Sequence, residues 1–354
     1  MSATFETWTS VGELWAASHR AARGKRHRAS VARTLLELEP TVLSLSAALR
    51  SGEWHPGRAA THSIRDPKPR TIVAAPFVDR IVHQSLCHSI GPVLDAGLIQ
   101  DTYACRVGRG THAAVRKAVA WARTYRFALH LDVRKFFPSI DHALLLAQLE
   151  RRIPCSRTLD VCRLILAAGS DVIDPIRRHF PGDDLFTPWQ RPLGLPIGNL
   201  TSQHFGNRFL SPVDHRVKDR LRVRAYLRYM DDMLVFHDDR DALHGIGLAI
   251  EAVCSNLRLR LHPWQVVPTR AGVGFLGFRI LPDVVRVKRS SVARAQNRLT
   301  QRIAAARGNP AEVAACLSSL RSTFAHWKHA DSWRLRRATL HALGILGGED
   351  DDEG

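Results

Sequence analysis

The stretch AYLRYMDDMLVF, residues 225–236, sets two adjacent carboxylates, Asp231 and Asp232, between two apolar runs. Apolar runs of this kind are buried, and a buried carboxylate without a partner is expensive. Neighbouring side chains on a strand point to opposite faces, so two adjacent acids serve one site only where the backbone turns. The segment therefore predicts strand, tight turn, strand, with the acids at the tip of a hairpin. A second acid-bearing strand is RFALHLDVRKFFPSID. Its alternation puts Phe127, Leu129 and Leu131 on one face and Ala128, His130 and Asp132 on the other, with Asp132 at the strand end on the non-core face. Beside the hairpin tip, three carboxylates would crowd and repel unless cations neutralised them. Hard oxygen ligands suit Mg2+. Two such ions about 3.5–4 Å apart form the clamp used for in-line phosphoryl displacement. Taken alone, a DD pair is a weak motif, and a turn or cap role is the blander account.

Charge points to the partner. The 354 residues carry 51 Lys and Arg against 33 Asp and Glu, a formal net charge of +18, although the C-terminal GEDDDEG is acidic. A solvated Arg-rich surface would give such a number, but a polyanion partner explains it better, since each neutralised phosphate releases counterions. The six cysteines are scattered without a CxxC pair, and the 18 histidines show no HExxH-type spacing. Both patterns argue against a zinc site and a disulfide framework. No apolar run is long enough to span a bilayer. The N-terminal residues lack a basic n-region, so the expectation is a cytoplasmic protein.

The remaining segments mix strands and helices without regular βαβ alternation, which predicts an α+β fold. VARTLLELEPTVLSLSAALRSGEW reads as helix, RTIVAA as strand, and FVDRIVHQSLCHSIGPVL as a helix ending near Gly91 and Pro92. GLPIGNLTSQHFGNRFLSPVDHRVKDRL reads as a glycine loop opening a long helix, and GVGFLGFRILPDVVRVKR as a hairpin-like pair. Basic helices fill the rest to about Leu346.

These segments, in this order, closely resemble the reverse transcriptases from about Arg65 to Ile280. KPRTIVAAPFVDRIVH and YACRVGRGTHAAV are similar to the two fingers motifs. LHLDVRKFFPSIDH is similar to motif A, GLPIGNLTSQ to motif B, RYMDDMLVF to motif C and GVGFLGFRI to the primer grip. The resemblance implies a right-hand polymerase fold. Its parts would be an N-terminal helical extension (1–62), fingers (63–125), a palm with an antiparallel sheet packed on helices (126–285) and a helical thumb (286–346). The palm would carry a fingers insertion at about 151–190, and 347–354 would be a disordered acidic tail. The resemblance implies RNA-directed DNA synthesis with two Mg2+ ions, dNTPs, an RNA template and a DNA or RNA primer, with no membrane.

Carried over position by position, the family's roles fall on a short set of residues. Asp132, Asp231 and Asp232 match the catalytic metal ligands, with the Val133 carbonyl beside them. Phe137 matches the aromatic gate against a 2′-hydroxyl. Arg70 matches the grip on the triphosphate, with Lys68, Arg106 and Arg109 assisting. Ile197, Gly198 and Gln203 fall in motif B, and Phe275, Leu276 and Gly277 in the primer grip.

Two departures carry information. Most of the family has Gln at the start of motif B and Pro at its end, where this chain has Ile197 and Gln203. That variant resembles the enzymes of diversity-generating retroelements, which work with a dedicated template RNA and a small basic accessory protein. Ile cannot make the hydrogen bond of Gln, which implies looser base selection. In LRLRLHPWQVVP, Trp264 and Gln265 stand where the family commonly has a Lys, a candidate proton donor to pyrophosphate. The alternatives are a phage-defence or retron-like reverse transcriptase and a weakly catalytic, maturase-like RNA-binding protein.

Overall fold

The computed structural model describes residues 4–64, 70–170, 177–307 and 309–346; Lys68 and the acidic tail lie outside them. Among the described residues, nine strands form three antiparallel sheets. β1 (Ala60–Ile64) pairs with β2 (Arg70–Ala74). The central sheet holds β3 (Phe127–Asp132), β4 (Tyr226–Tyr229), β5 (Asp232–His237) and β6 (Val266–Pro268) in the order β4-β5-β3-β6. β7 (Val273–Phe275), β8 (Phe278–Ile280) and β9 (Val285–Val287) form the third. Helices surround these sheets, as the α+β expectation has it.

Period-two alternation in the central sheet feeds two cores. Leu129, Leu131, Tyr226, Met233 and Val235 pack into the larger one, with the helix Phe77–Asp95 and the N-terminal helices. Ala128, Ala225, Leu227, Leu234 and Phe236 pack into the second, against the helix Thr111–Thr124, β7, β8 and Trp327 of the helix Pro310–Trp327. Small residues on the helix Thr111–Thr124, Ala114, Ala118 and Ala122, let it lie close on the sheet. The face read from sequence as non-core is therefore closed at Ala128 and opens only toward Asp132, whose side chain is 41% exposed. Sequence alternation marks which residues share a face; it does not reveal that a second layer covers half of that face.

The N-terminal segment is helical and packs on the larger core. Phe5, Trp8, Leu14, Val42 and Leu45 belong to the larger core, and the Trp8 indole donates to Thr158 Oγ1 at 3.2 Å. Four further expectations change. The first long helix is two, Ala29–Leu36 and Leu38–Ser51, because Pro40 has no N–H to give and fits only a first helical turn. The helix expected to stop near Gly91 runs on through Pro92 to Asp95; the residue four back, His88, lies on its exposed side. Gly91 is needed instead for packing, since a Cβ there would sit 3.3 Å from the His204 ring. The motif B helix ends at Phe209 and restarts at Ser211 with Pro212 in its first turn. The hairpin-like pair gains a third strand, β9. Among the described residues no helix is long and apolar enough to cross a membrane.

Candidate active site

The register of β4 on β5 pairs Tyr229 with Asp232, so Met230 and Asp231 form the two-residue turn at the hairpin tip. Met230 has φ +56°, a conformation that such turns usually give to glycine. It costs about 1–3 kcal/mol and persists only where the surroundings fix it. Two contacts do so. The Arg228 guanidinium donates to the Met230 carbonyl at 2.9 Å. The Met230 side chain is buried beside Gly206, where a Cβ would lie 3.3 Å from the sulfur and 3.2 Å from the Phe136 ring.

Antiparallel pairing of β3 with β5 sets Asp132 directly opposite Asp232. The Asp132 carbonyl accepts from His262 N–H at 2.8 Å, and Arg134 N–H donates to the Arg260 carbonyl at 2.8 Å. Those bonds spend the outer edge of Asp132 and make Asp132 and Asp232 a non-hydrogen-bonded pair, the kind with Cα atoms about 4.5 Å apart and side chains close. By the same alternation the Val133 carbonyl faces the β5 side, toward the turn that bears Asp231. The facing pair Asp132 and Asp232, the adjoining turn residue Asp231 and the Val133 carbonyl offer hard oxygen donors of the kind that suits Mg2+. The side chains have not closed into a cage: among the described residues no three His, Cys, Asp or Glu groups converge as metal ligands. Asp232 Oδ1 instead bonds His130 Nε2 at 2.5 Å, and His262 Nε2 lies 3.9 Å from Asp132 Oδ2. Sequence reading missed both histidines as neighbours of the acids. His130 carried a signal, since it sits two residues before Asp132 on the same face.

Behind the turn lies a fully buried polar knot. Arg228 bonds Asp214 through Nε at 2.8 Å and Nη2 at 2.6 Å, and reaches the Asn207 side-chain oxygen at 3.2 Å and its carbonyl at 3.1 Å. Asp214 also accepts from Tyr226 OH at 2.8 Å and Thr102 Oγ1 at 3.2 Å. Burial alone would lower the Arg228 pKa, but the Asp214 carboxylate, joined by Tyr226 and Asp231, outweighs it and the net direction is up. Burial first, and Asp214 after it, push the Tyr226 phenol well above its ordinary range.

The other candidates are placed unevenly around this centre. Arg70 opens β2, opposite Ile64. Arg106 is tied into its own loop, donating to the carbonyls of Ile99 and Thr102 at 2.8 and 3.1 Å, whereas Arg109 is exposed over the Tyr103 ring. Phe136 is buried and Phe137 half-buried, edge-on to each other at 5.3 Å. The Ile197 carbonyl accepts from Val73 N–H at 2.9 Å, joining motif B to β2. Gly198 has φ +120°, and a Cβ there would press within 3.1 Å of the Val73 carbonyl. Gln203 is exposed on the helix Leu200–Phe209. Phe275 is fully buried, so only the turn Leu276–Gly277, with both φ positive, is open at the primer-grip position. Trp264 packs on the helix Arg240–Asn256, where a Cβ on Gly247 would lie 2.6 Å from its ring, and Gln265 is exposed.

The family model described as reverse transcriptase (RNA-dependent DNA polymerase) matches residues 64–280. No curated protein matches the chain. Among solved structures, telomerase from Candida albicans in complex with a TWJ fragment of telomeric RNA is similar over 82% of this chain and 55% of that one, with 12% identity and a TM-score of 0.47. Apo telomerase from Candida tropicalis, truncated from the C-terminal domain, is similar over 68% of this chain and 58% of that one, with 12% identity and a TM-score of 0.48. The chain thus spans little more than half the length of either.

Proposed function

The chain belongs to the reverse transcriptase family, with the mixed helix and antiparallel-sheet architecture of a right-hand polymerase, and from that premise we propose that it copies an RNA template into DNA. The observation that carries this reading is the register of Asp132 against Asp232 beside a two-residue turn bearing Asp231. Asp132, Asp231 and the Val133 carbonyl would hold two Mg2+ ions, with Asp232 joining them when it leaves His130. Bound there, the ions supply activation of the primer 3′-hydroxyl and charge neutralisation at the leaving pyrophosphate. The protein's own share is placement: the pinned Met230 turn fixes the acids, and Arg70 of β2 takes the triphosphate, with Arg109 and Lys68 assisting. Arg106 shapes the loop from which Arg109 projects. Trp264, engaged on its helix, offers no proton to pyrophosphate, which implies modest turnover.

Phe137 is the residue we assign beneath the incoming sugar, since Phe136 is spent in the core. Phe137→Ala is expected to raise ribonucleotide incorporation at least tenfold relative to dNTP use in single-nucleotide extension assays. An unchanged preference would move the gate elsewhere.

The motif B variant, Ile197 with Gln203, supports the finer reading of a mutagenic enzyme from a diversity-generating retroelement, served by a small basic accessory protein. Ile197→Gln is expected to narrow the misincorporation spectrum, read by sequencing the cDNA. A spectrum identical to that of the unaltered protein would remove Ile197 from base selection. The overall reading is tested by primer extension with purified protein, an RNA template, a DNA primer, dNTPs and Mg2+, with and without the accessory protein. Extension only when that protein is added favours the retroelement enzyme; none in either case sinks the polymerase reading.

A further inference from the structure

The segment 177–192, between motifs A and B, is built unlike an ordinary surface loop. Its underside is anchored by buried ion pairs. Arg191 contacts Asp183 and lies 3.3 Å from Asp141, which also accepts from Arg258 at 2.5 Å. Arg191 and Asp141 are almost fully buried. Its upper surface carries three large apolar side chains in the open: Leu185 at 70%, Phe186 at 63% and Trp189 at 68% exposure. Arg177 stacks on the Trp189 ring 5.3 Å from its centroid and donates to the carbonyls of Pro188 and Trp189 at 3.1 and 2.6 Å. One indole face is thereby fixed and the rest of the ring stays in solvent. Exposed apolar side chains gathered in one short, anchored segment mark an interaction site.

The charge beside it says what that is. Arg191 also donates to the Arg178 carbonyl at 3.3 Å, and through Asp141 it stands beside Arg258, in the turn that leads to Arg260. Arg134 and Arg260 face each other across the Val133–Leu261 bridge, two residues from Asp132 and His262. Burial first, then the charges of Arg260 and Arg134, push the Arg178 guanidinium pKa down. Among the described residues none of these three guanidiniums has an acidic partner. Asp183 is engaged by Arg191, and Asp184 accepts from the N–H groups of Phe186 and Thr187 at 3.0 and 2.7 Å, so the guanidiniums left without an acid beside exposed aromatic rings match a polyanion with flat, unstacked bases. A basic protein would be repelled.

We propose that segment 177–192 is a platform for single-stranded RNA, with Trp189 and Phe186 stacking bases and Arg178, Arg134 and Arg260 meeting the phosphates on the side nearest Asp132. The choice of RNA over DNA rests on the functional reading above; the platform itself does not.

The test is fluorescence anisotropy of a labelled 12-nucleotide oligo(U) RNA with the full chain, in EDTA and without primer. Trp189→Ala and Phe186→Ala are each expected to weaken binding roughly tenfold, in line with the loss of one stacked base. Trp189→Phe, which keeps an aromatic face, should stay within about threefold of the unaltered chain. Joint Arg178→Gln and Arg260→Gln should flatten the slope of log affinity against log salt by about 1.4, at roughly 0.7 per single-strand phosphate contact. Unchanged affinity in Trp189→Ala, or an equal loss on a 12-base-pair duplex RNA, overturns the proposal. So does unchanged RNA affinity combined with lost binding of an accessory protein, which would make the patch a protein-docking surface. A chain that fails primer extension yet loses RNA on Trp189→Ala sinks the polymerase reading and upholds the platform.

Discussion

Asp231→Asn is expected to abolish primer extension, lowering the rate by on the order of 10³-fold or more. An amide keeps the shape of the side chain but removes its charge. Charge stabilisation of a phosphoryl transition state by bound metal is worth several kcal/mol, and each 1.36 kcal/mol is tenfold in rate. The same substitution has a second, independent readout. Asp132, Asp231 and Asp232 repel one another when no cation is present. In EDTA, the variant loses that repulsion together with the attraction of Asp231 to Arg228, and its melting temperature should stay close to that of the unaltered protein. On adding Mg2+ the unaltered protein should gain thermal stability in proportion to ligand saturation, and the variant should gain much less. Full extension activity in Asp231→Asn would remove the turn acid from the chemistry. A lost activity together with a collapsed melting temperature in EDTA would point to a structural part instead.

The hairpin and its acids were legible in the sequence for a physical reason. Two apolar runs must be buried, two adjacent acids cannot share a strand face, and a turn is the arrangement that satisfies both. The structure has this hairpin with a two-residue turn. Asp132 was legible through strand alternation, and the register opposite Asp232 follows once β3 and β5 pair. What stayed hidden depends on partners far apart in the chain. Arg228 stands in an apolar strand and so signals a buried partner, but nothing local selects Asp214, on a helix upstream. The engagement of Trp264 with Gly247 is likewise invisible without the fold, and so is the anchoring of segment 177–192 through Arg191 and Asp141. Helix ends differ from the sequence reading at proline in both directions, at Pro92 where a stop is expected and at Pro40 and Pro212 where an unbroken helix is expected. Pro92 is tolerated inside its helix, whereas Pro40 and Pro212 begin new ones.

Arg228→Met should be the most destabilising single change near the site. It leaves the Asp214 carboxylate buried with the Tyr226 and Thr102 hydroxyls as its side-chain donors. Breaking a buried pair by removing one partner costs about 3–5 kcal/mol. The expected result is a clear fall in the denaturation midpoint, with activity falling as well. Those two losses are separable. Arg228→Met combined with Asp214→Leu removes both charges, and such apolar replacement is often close to neutral for stability. The double variant still lacks the donor that Arg228 gives to the Met230 carbonyl. Met230 then holds its unfavourable φ with one support fewer, and the turn bearing Asp231 is free to relax. Stability should therefore return while kcat stays at least tenfold down and the KM for dNTP changes little. Arg228→Lys should fall between, because three ammonium donors cannot serve two Asp214 oxygens, two Asn207 oxygens and the Met230 carbonyl together. If the double variant recovered kcat along with stability, Arg228 would be a packing residue. If kcat alone stays low, the knot beneath the hairpin is what holds the acids where the chemistry needs them.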